Sequence, residues 1–548
     1  MRSMEINDTE MYDYFEKLLY EGKNKNGLKE AWKKEISPQE YGLTEKNIHS
    51  ILGSKELLYG KEDAKRQICL LEGMQKFLHE YVGIEGLEEL LVNNYGTIEN
   101  SIFFEHDACG NPVNIREHAK HQMKNAFLGS VLLLEFDLLK NVSETVYQAK
   151  GSAARYLLSQ AEQLYLEKNG KKAEIGSEDY RQKILDRLEG WSYKIFMVSS
   201  MLHDIGYPLE FYLRSAQTLA DYPPYLKILS PTVKAEFAEI KALLLESQLF
   251  RQVDHKEIKE KYAVNNHGVL SAVSLLMHFY YGGKIYSMNT EDRCIIEMSA
   301  IAIYRHTDRF QNGFRMVYQE DPISYMVRLC DDLQEWNRFR LLINDKHNYL
   351  QCSNCGKILL EEEREYQCTG CDCKYEKITQ INNRKVNYIC LCDSLSIETV
   401  RGHIKITFSF DLMKQLEILL DDYTAVIKSR GDLGKVENLL KDQSMVPAIE
   451  IDYFLSNNPV CIIEKMIMNG SKSWDAADKR ISEWLEKQGE GKKKDYLKAF
   501  YRDFLEKRGE NPFGKEVENN VLCYETEVQD YVKKNYGEIY SIYNALKN

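Results

Sequence analysis

Six residues of this 548-residue chain have the types and the order to hold metal ions. In FMVSSMLHDIGYPLEF, His203 and Asp204 close an apolar helical run, and Gly206 and Pro208 just beyond them stop it. A buried helix end is an unusual place for two polar side chains. An imidazole nitrogen suits a transition metal, and a carboxylate can bridge two cations through its two oxygens. Four further segments set a His or Asp on or beside an apolar helix. They are REHAKHQMKNAFLGSVLLLE with His121, NNHGVLSAVSLL with His267, SAIAIYRHTDRF with His306 and DPISYMVRLCDDLQEW with Asp331. His118, one turn before His121 on the same face, and Asp332, next to Asp331, compete for the same roles. A second His–Asp pair, His106–Asp107 in FFEHDACGNP, has a turn after it and no long apolar helix before it, and reads as a decoy. His49, His79, His255, His278, His347 and His403 read as ordinary core or surface residues. A divalent cation in such a ligand set lowers the pKa of bound water from about 15.7 toward neutrality, and a second cation can neutralise phosphoryl oxygens. Hydrolysis of a phosphoester fits that chemistry.

The ligands need helices that pack around one centre. Apolar residues three and four apart predict helices over 115–138, 151–167, 179–217, 267–281, 290–308 and 322–338, and no stretch among them alternates like a strand. Residues 1–100 read as short amphipathic helices without visible chemistry. From His347 the pattern changes to paired cysteines and β-type runs such as VNYICLC and GHIKITFSF, and helical periodicity resumes near Asp411. The expected architecture is therefore mainly α. It has an N-terminal helical region at 1–100, a helical core at 101–345, a small β-containing insertion at 346–410 and a C-terminal helical region at 411–548.

The order His, His–Asp, His, His, Asp resembles the HD-domain superfamily of metal-dependent phosphohydrolases over roughly residues 115–342. HDIGYPLE, NHGVLSA and LCDDLQEW resemble more narrowly a prokaryotic branch associated with conflict or antiviral defence. The resemblance implies an HD-domain helical bundle. It places the first-helix histidine on His121 and the last acid on Asp331, so that His121, His203, Asp204 and Asp331 form a primary metal site. His267 and His306 would bind a second ion bridged by Asp204. One or two divalent metals (Mn, Mg, Ni, Fe or Zn) are implied, with His203 and Asp204 at the centre of catalysis. Lys124, one turn after His121, matches a basic position of the family and would contact a substrate phosphate as a point charge. Arg305 and Arg328 are weaker phosphate candidates, and Trp336 is expected in the core.

Seven of the 13 cysteines fall within about forty residues, in QCSNCGKILLEEEREYQCTGCDCKYEKI and the strand-like run after it. Cys352/Cys355 and Cys368/Cys371 form two C-x-x-C pairs separated by twelve residues, a spacing that sets four thiolates on one tetrahedral ion. This resembles a zinc ribbon with a structural zinc, whose closed site leaves no position for catalytic water. Cys373, Cys390 and Cys392 have open roles. Cys69, Cys109, Cys294, Cys330, Cys461 and Cys523 are scattered and expected as small core residues.

The balance of 72 Lys+Arg against 84 Asp+Glu gives a net charge of −12, so no global positive field attracts a polyphosphate backbone. Nucleotides or cyclic nucleotides therefore fit better than long DNA. No secretory leader is visible and the longest apolar run, 127–139, carries Glu135 and Asp137, so a cytoplasmic protein without membrane contact is expected. There is no P-loop and no G-x-S-x-G elbow. The leading expectation is an enzyme hydrolysing a phosphoester or phosphoanhydride of a nucleotide. The alternatives are an HD nuclease acting on single-stranded nucleic acid and a catalytically silent module. The silent module would sense a nucleotide or bind a protein partner through the ribbon or the C-terminal region.

Overall fold

The computed structural model describes residues 2–16, 71–91, 104–106, 112–115, 118–169, 175–210, 241–307, 316–336, 339–351, 358–360, 381–411, 436–456, 474–487 and 498, with short breaks inside several of these ranges. The described chain is mainly helical. Strand β1 (Ser3–Ile6) and helix α1 (Asp8–Glu16) lead it, and a hairpin of β2 (Phe104–His106) and β3 (Pro112–Ile115) follows. The helical core runs through α2 (His118–Ser130), α3 (Leu138–Gln148), α4 (Ser152–Asn169), α5 (Glu178–Leu202), α6 (His255–Ala263), α7 (His267–Tyr280), α8 (Thr290–Arg305) and α9 (Pro322–Leu333). Strands β4 (Phe339–Gln351), β5 (Ile358–Leu360), β6 (Ile381–Cys390), β7 (Cys392–Val400), β8 (His403–Asp411) and β9 (Ile449–Ser456) come next, and α10 (Trp474–Glu486) is the last element.

Helix α5 is the axis of the core, packing on α2, α3, α4, α8 and α9. Its start is written in the sequence. Ser177 accepts a hydrogen bond from the Tyr180 amide, and Glu178 and Asp179 lie in the first turn, where carboxylates complement the exposed amides and the helix dipole. From Trp191 onward, all but one of its residues are buried. Asn289 caps α8 in the same way, and Asp321 caps α9 with Pro322 in its first turn. Helix α2 crosses α5 closely because residue 129 is glycine: a Cβ there would lie 1.8 Å from the Phe196 ring.

Three helix ends differ from the periodicity. The predicted helix over 115–138 stops at Ser130, passes through a π-helical turn at Val131–Glu135, and is broken at Asp137, whose φ of 58° starts α3 at a new angle. Asp tolerates this left-handed conformation better than most residues. Helix α5 ends at Leu202 rather than running to 217, because the chain turns at 203–206 against α7; residues 211–217 lie outside the described residues. Helix α9 ends at Leu333, so that Trp336 bridges to Cys392 and turns its buried indole toward Phe127.

The strands form two sheets. One has the order β1-β7-β8-β9, with β8 and β9 parallel and the other pairs antiparallel. Leu395, Ile397, Ile404, Ile406 and Phe408 alternate inward, which is the period-two pattern visible in GHIKITFSF. Arg401 and Gly402 close the β7–β8 hairpin at φ 51° and 84°, as a two-residue hairpin turn requires. The expected insertion is thus completed by strands from outside it, β1 from the N-terminal region and β9 from the C-terminal one. In the other sheet β4 pairs β3, β5 and β6, and β4 begins at Phe339, before the expected boundary. Cys352, Cys355, Cys368, Cys371 and Cys373 lie outside the described residues. Cys392 is buried on β7, and Cys294 and Cys330 are buried in the core, where burial pushes both thiols well up. Among the described residues, no helix is long and apolar enough to cross a membrane.

Candidate metal centre

The six His and Asp residues come from five elements and meet inside the helical core. His121 lies in α2, and His203 with Asp204 caps the C-terminal end of α5. His267 opens α7, His306 caps the C-terminal end of α8, and Asp331 sits near the end of α9. Side chains of His203, Asp204 and His306 are at most 2% exposed. Three groupings, His121/His203/Asp204, His203/His306/Asp331 and Asp204/His267/His306, each bring one ligand atom per residue within 4.8 Å of the others.

Two glycines and an asparagine explain why α5, α7 and α8 come so close at their ends. Gly206 donates its amide to Ser271 Oγ at 2.8 Å, and a Cβ at 206 would lie 2.4 Å from the Ser271 nitrogen. Ser271 stands one turn after His267, so this contact presses the His203–Asp204 turn onto α7. Gly268 does the same for α8: its Cβ would lie 2.5 Å from Thr307 Oγ1. Asn266 accepts from the Val269 amide, capping α7, and from Thr307 Oγ1 at 2.8 Å. The small residues of HDIG and NHG thereby set the spacing of the histidines beside them.

Asp204 divides its carboxylate between two pairs of imidazoles. Oδ2 is 3.4 Å from His121 Nε2 and 3.5 Å from His203 Nε2, while Oδ1 is 3.8 Å from His267 Nε2 and 3.9 Å from His306 Nε2. Asp331 Oδ1 adds contacts of 2.9 Å to His121 Nε2 and 3.3 Å to His203 Nε2. The far nitrogens of two rings are fixed by backbone: His203 Nδ1 by the Ser200 carbonyl at 2.9 Å and His306 Nδ1 by that of Ile303. A carbonyl only accepts, so both rings carry the proton on Nδ1 and turn Nε2 toward the centre. His203 Nε2 is buried with no hydrogen bond of proper geometry.

The electrostatics of the cluster favour added positive charge. Burial alone would strip the proton from His203, yet Asp204 and Asp331 outweigh it and hold the ring's pKa up at about 9. Burial, then the charge of His203, push His306 down to about 4. Burial would raise the Asp331 carboxyl, but the imidazoles of His121 and His203 beside it hold it well below the ordinary carboxylate range. The two carboxylates that draw a proton onto His203 would draw a cation to the same place. Imidazole nitrogens and carboxylate oxygens converging in a buried site fit a divalent ion.

Other expected residues are placed elsewhere. Lys124 is buried and donates to the Trp336 carbonyl at 2.6 Å, lies over the Trp336 ring at 5.1 Å, and has Asp8 Oδ1 at 3.8 Å. These contacts make Lys124 a buried anchor, shared with Lys120, whose ammonium is 2.6 Å from Asp8 Oδ2. Asp332 pairs with Arg328 at 3.0 Å, leaving Asp331 to face the histidines. Arg305 pairs with Asp321, the cap of α9, and so ties α8 to α9 beside His306. His118 begins α2 and His106 ends β2; their side chains, and Asp107, lie outside the described residues.

Four residues of the site lie inside the quoted motifs but have no role of their own in the sequence reading. Gln334 Nε2 is 3.3 Å from Asp331 Oδ1 and 3.4 Å from His121 Nε2. Tyr207 stacks on His267 with ring centroids 4.4 Å apart, Glu210 Oε2 lies 3.7 Å from His267 Nδ1, and Asn266 acts as described above. Tyr207 and Glu210 fall in HDIGYPLE, past the turn that ends α5 at Leu202 instead of 217 and so alters the facing that a continuous helix would give them. No protein-family model, curated protein or solved structure matches this chain.

Proposed function

We propose that the chain is an HD-type metal-dependent phosphohydrolase that cleaves a phosphoester or phosphoanhydride of a nucleotide or cyclic nucleotide. The observation that carries this reading is the split of Asp204 between two imidazole pairs. His121, His203 and Asp331 share one oxygen's side, and His267 and His306 share the other's. These residues would hold two divalent cations, with Asp204 common to both. Such cations polarise a phosphoryl oxygen and make water a nucleophile at neutral pH.

The protein's own part is to hold these side chains in place before substrate arrives. Backbone carbonyls fix His203 and His306, Gln334 holds Asp331, and the buried walls keep the local dielectric low, which strengthens attraction for anionic phosphate. His267 is the most open of the four histidines at 25% side-chain exposure, against 8% or less for the others. Substrate therefore enters past His267. The four cysteines of the two C-x-x-C pairs form a separate structural zinc site in this reading.

The test uses the purified full-length chain. Metal analysis should find ions beyond the single zinc of the cysteine module, and a panel of nucleotides, cyclic nucleotides and single-stranded DNA and RNA with Mn²⁺, Ni²⁺ or Mg²⁺ should reveal hydrolysis. The double variant His203→Ala/Asp204→Ala should lose both the extra metal and the activity. Hydrolysis at the wild-type rate by that variant rejects the assignment.

A further inference from the structure

We propose that Glu210 is the positioning residue for the second cation. Its carboxylate takes the Nδ1–H hydrogen bond of His267 and so fixes the tautomer that turns Nε2 toward Asp204. The inference rests on the metal reading above and extends it to a residue outside the six ligands.

The argument begins with a difference among the histidines. His203 and His306 stand at the C-terminal ends of their helices, where a ring can bend back and donate Nδ1–H to the carbonyl three residues earlier. His267 is the first residue of α7, so its own helix offers no preceding turn with such a carbonyl. Its ring is approached instead by side chains of another element. The turn after Asp204 supplies them: the Glu210 amide donates to the Gly206 carbonyl at 2.9 Å, forming one helical turn. Residues three apart on a helical turn share a face, and here Tyr207 and Glu210 address the same imidazole.

Tyr207 lies nearly parallel to the ring, at an interplanar angle of 14°, and limits its tilt. Glu210 Oε2 sits 3.7 Å from Nδ1 while Nε2 faces His306 Nε2 at 3.2 Å and Asp204 Oδ1 at 3.8 Å. The 3.7 Å gap is longer than a hydrogen bond, and catalytic hydrogen bonds often tighten only when a site is loaded. Glu210 is 7% exposed, so it is aimed into the protein and not at solvent. A carboxylate behind a ligating imidazole fixes its tautomer and raises its basicity, and removing such a partner typically costs about 10–100-fold in metal affinity.

The experiment titrates Co²⁺ into full-length protein stripped of metal at the His/Asp cluster, following the visible d–d absorption and heat, with wild type, Glu210→Gln and Glu210→Ala in parallel. Wild type should bind two ions at the cluster. In Glu210→Ala the second ion should bind up to about 100-fold more weakly, and in the isosteric Glu210→Gln about tenfold, with the first ion unchanged. Thermal unfolding in chelator should be the same for wild type and Glu210→Gln, which separates positioning from a general structural role. A second-ion affinity within about threefold of wild type in both variants overturns the inference and leaves the metal reading standing. Equal weakening of both ions also overturns it. A wild-type protein that takes up no ion at the cluster overturns the metal reading itself, and Glu210 falls with it.

Discussion

The Nε2 atoms of His267 and His306 face each other at 3.2 Å, and both lie within 4 Å of Asp204 Oδ1. With Nδ1 of His306 held by the Ile303 carbonyl, the His306 lone pair points at its neighbour's nitrogen. Nitrogens that share one cation at bond lengths of about 2.1 Å stand roughly 3.4 Å apart in a tetrahedral site. The observed 3.2 Å is close to that spacing, so the two imidazoles are placed where they could serve as ligands of one ion.

His306→Ala should therefore remove one of the two ions bound at the cluster while leaving the first. Turnover should fall by more than about a hundredfold, since even indirect support of a metal ligand is worth that much. Metal analysis after dialysis, beside an assay of phosphoester hydrolysis, measures both effects. Two ions still bound by the variant would remove His306 from the ligand set.

Chelation should lower stability in a way that depends on Asp204. An ion that binds only the folded chain adds about 2.7 kcal/mol at a hundred times its Kd. Mn²⁺ should raise the thermal midpoint of wild type after EDTA treatment and leave that of Asp204→Ala unmoved. Any zinc held by the cysteine pairs would contribute equally to both proteins, so the difference between them reports the His/Asp cluster.

Two glycines should respond oppositely to the same substitution. Gly206→Ala forces a Cβ to 2.4 Å from the Ser271 backbone nitrogen, a clash with main chain that can be relieved only by separating α5 from α7. A cost of about 1–3 kcal/mol is expected, together with weaker metal binding. Gly190 lies within α5 and its added Cβ would meet nothing within 4 Å, so Gly190→Ala should stabilise by about 0.5–1 kcal/mol through helix propensity alone. Urea unfolding of the two variants measures the contrast.

The helical core and the His/Asp constellation could be read from the sequence because both depend on local rules. Apolar periodicity marks a buried face, and a His or Asp interrupting it at a helix end stands out. The supporting residues could not be read that way. Glu210 lies beyond the turn at 203–206 that ends α5, and Gln334 follows the last turn of α9. The sheet was only half legible: GHIKITFSF alternates, but nothing local says that Ser3–Ile6 and Ile449–Ser456 will pair with its hairpin. Such pairings, 45 positions apart for Ile404 with Ile449 and 395 for Ser3 with Glu398, are set by tertiary packing. The same holds for Lys124, whose partners Asp8 and Trp336 are distant in the chain.

Lys124 supplies the last test, because its two readings predict different kinetics. As a phosphate contact, it would raise KM when neutralised and leave stability alone. As the buried anchor described here, its ammonium bonds the Trp336 carbonyl and lies near the Asp8 carboxylate, which also accepts from the Trp336 indole at 3.2 Å. Removing one member leaves desolvated polar groups unmatched, at a cost of roughly 3–5 kcal/mol for a buried ion pair. Lys124→Met, which keeps the aliphatic stem, should lower the unfolding free energy on that scale, and Asp8→Asn should do likewise. The KM of whatever Lys124→Met protein remains folded should match wild type. Unchanged denaturant unfolding with a raised KM would return Lys124 to the substrate.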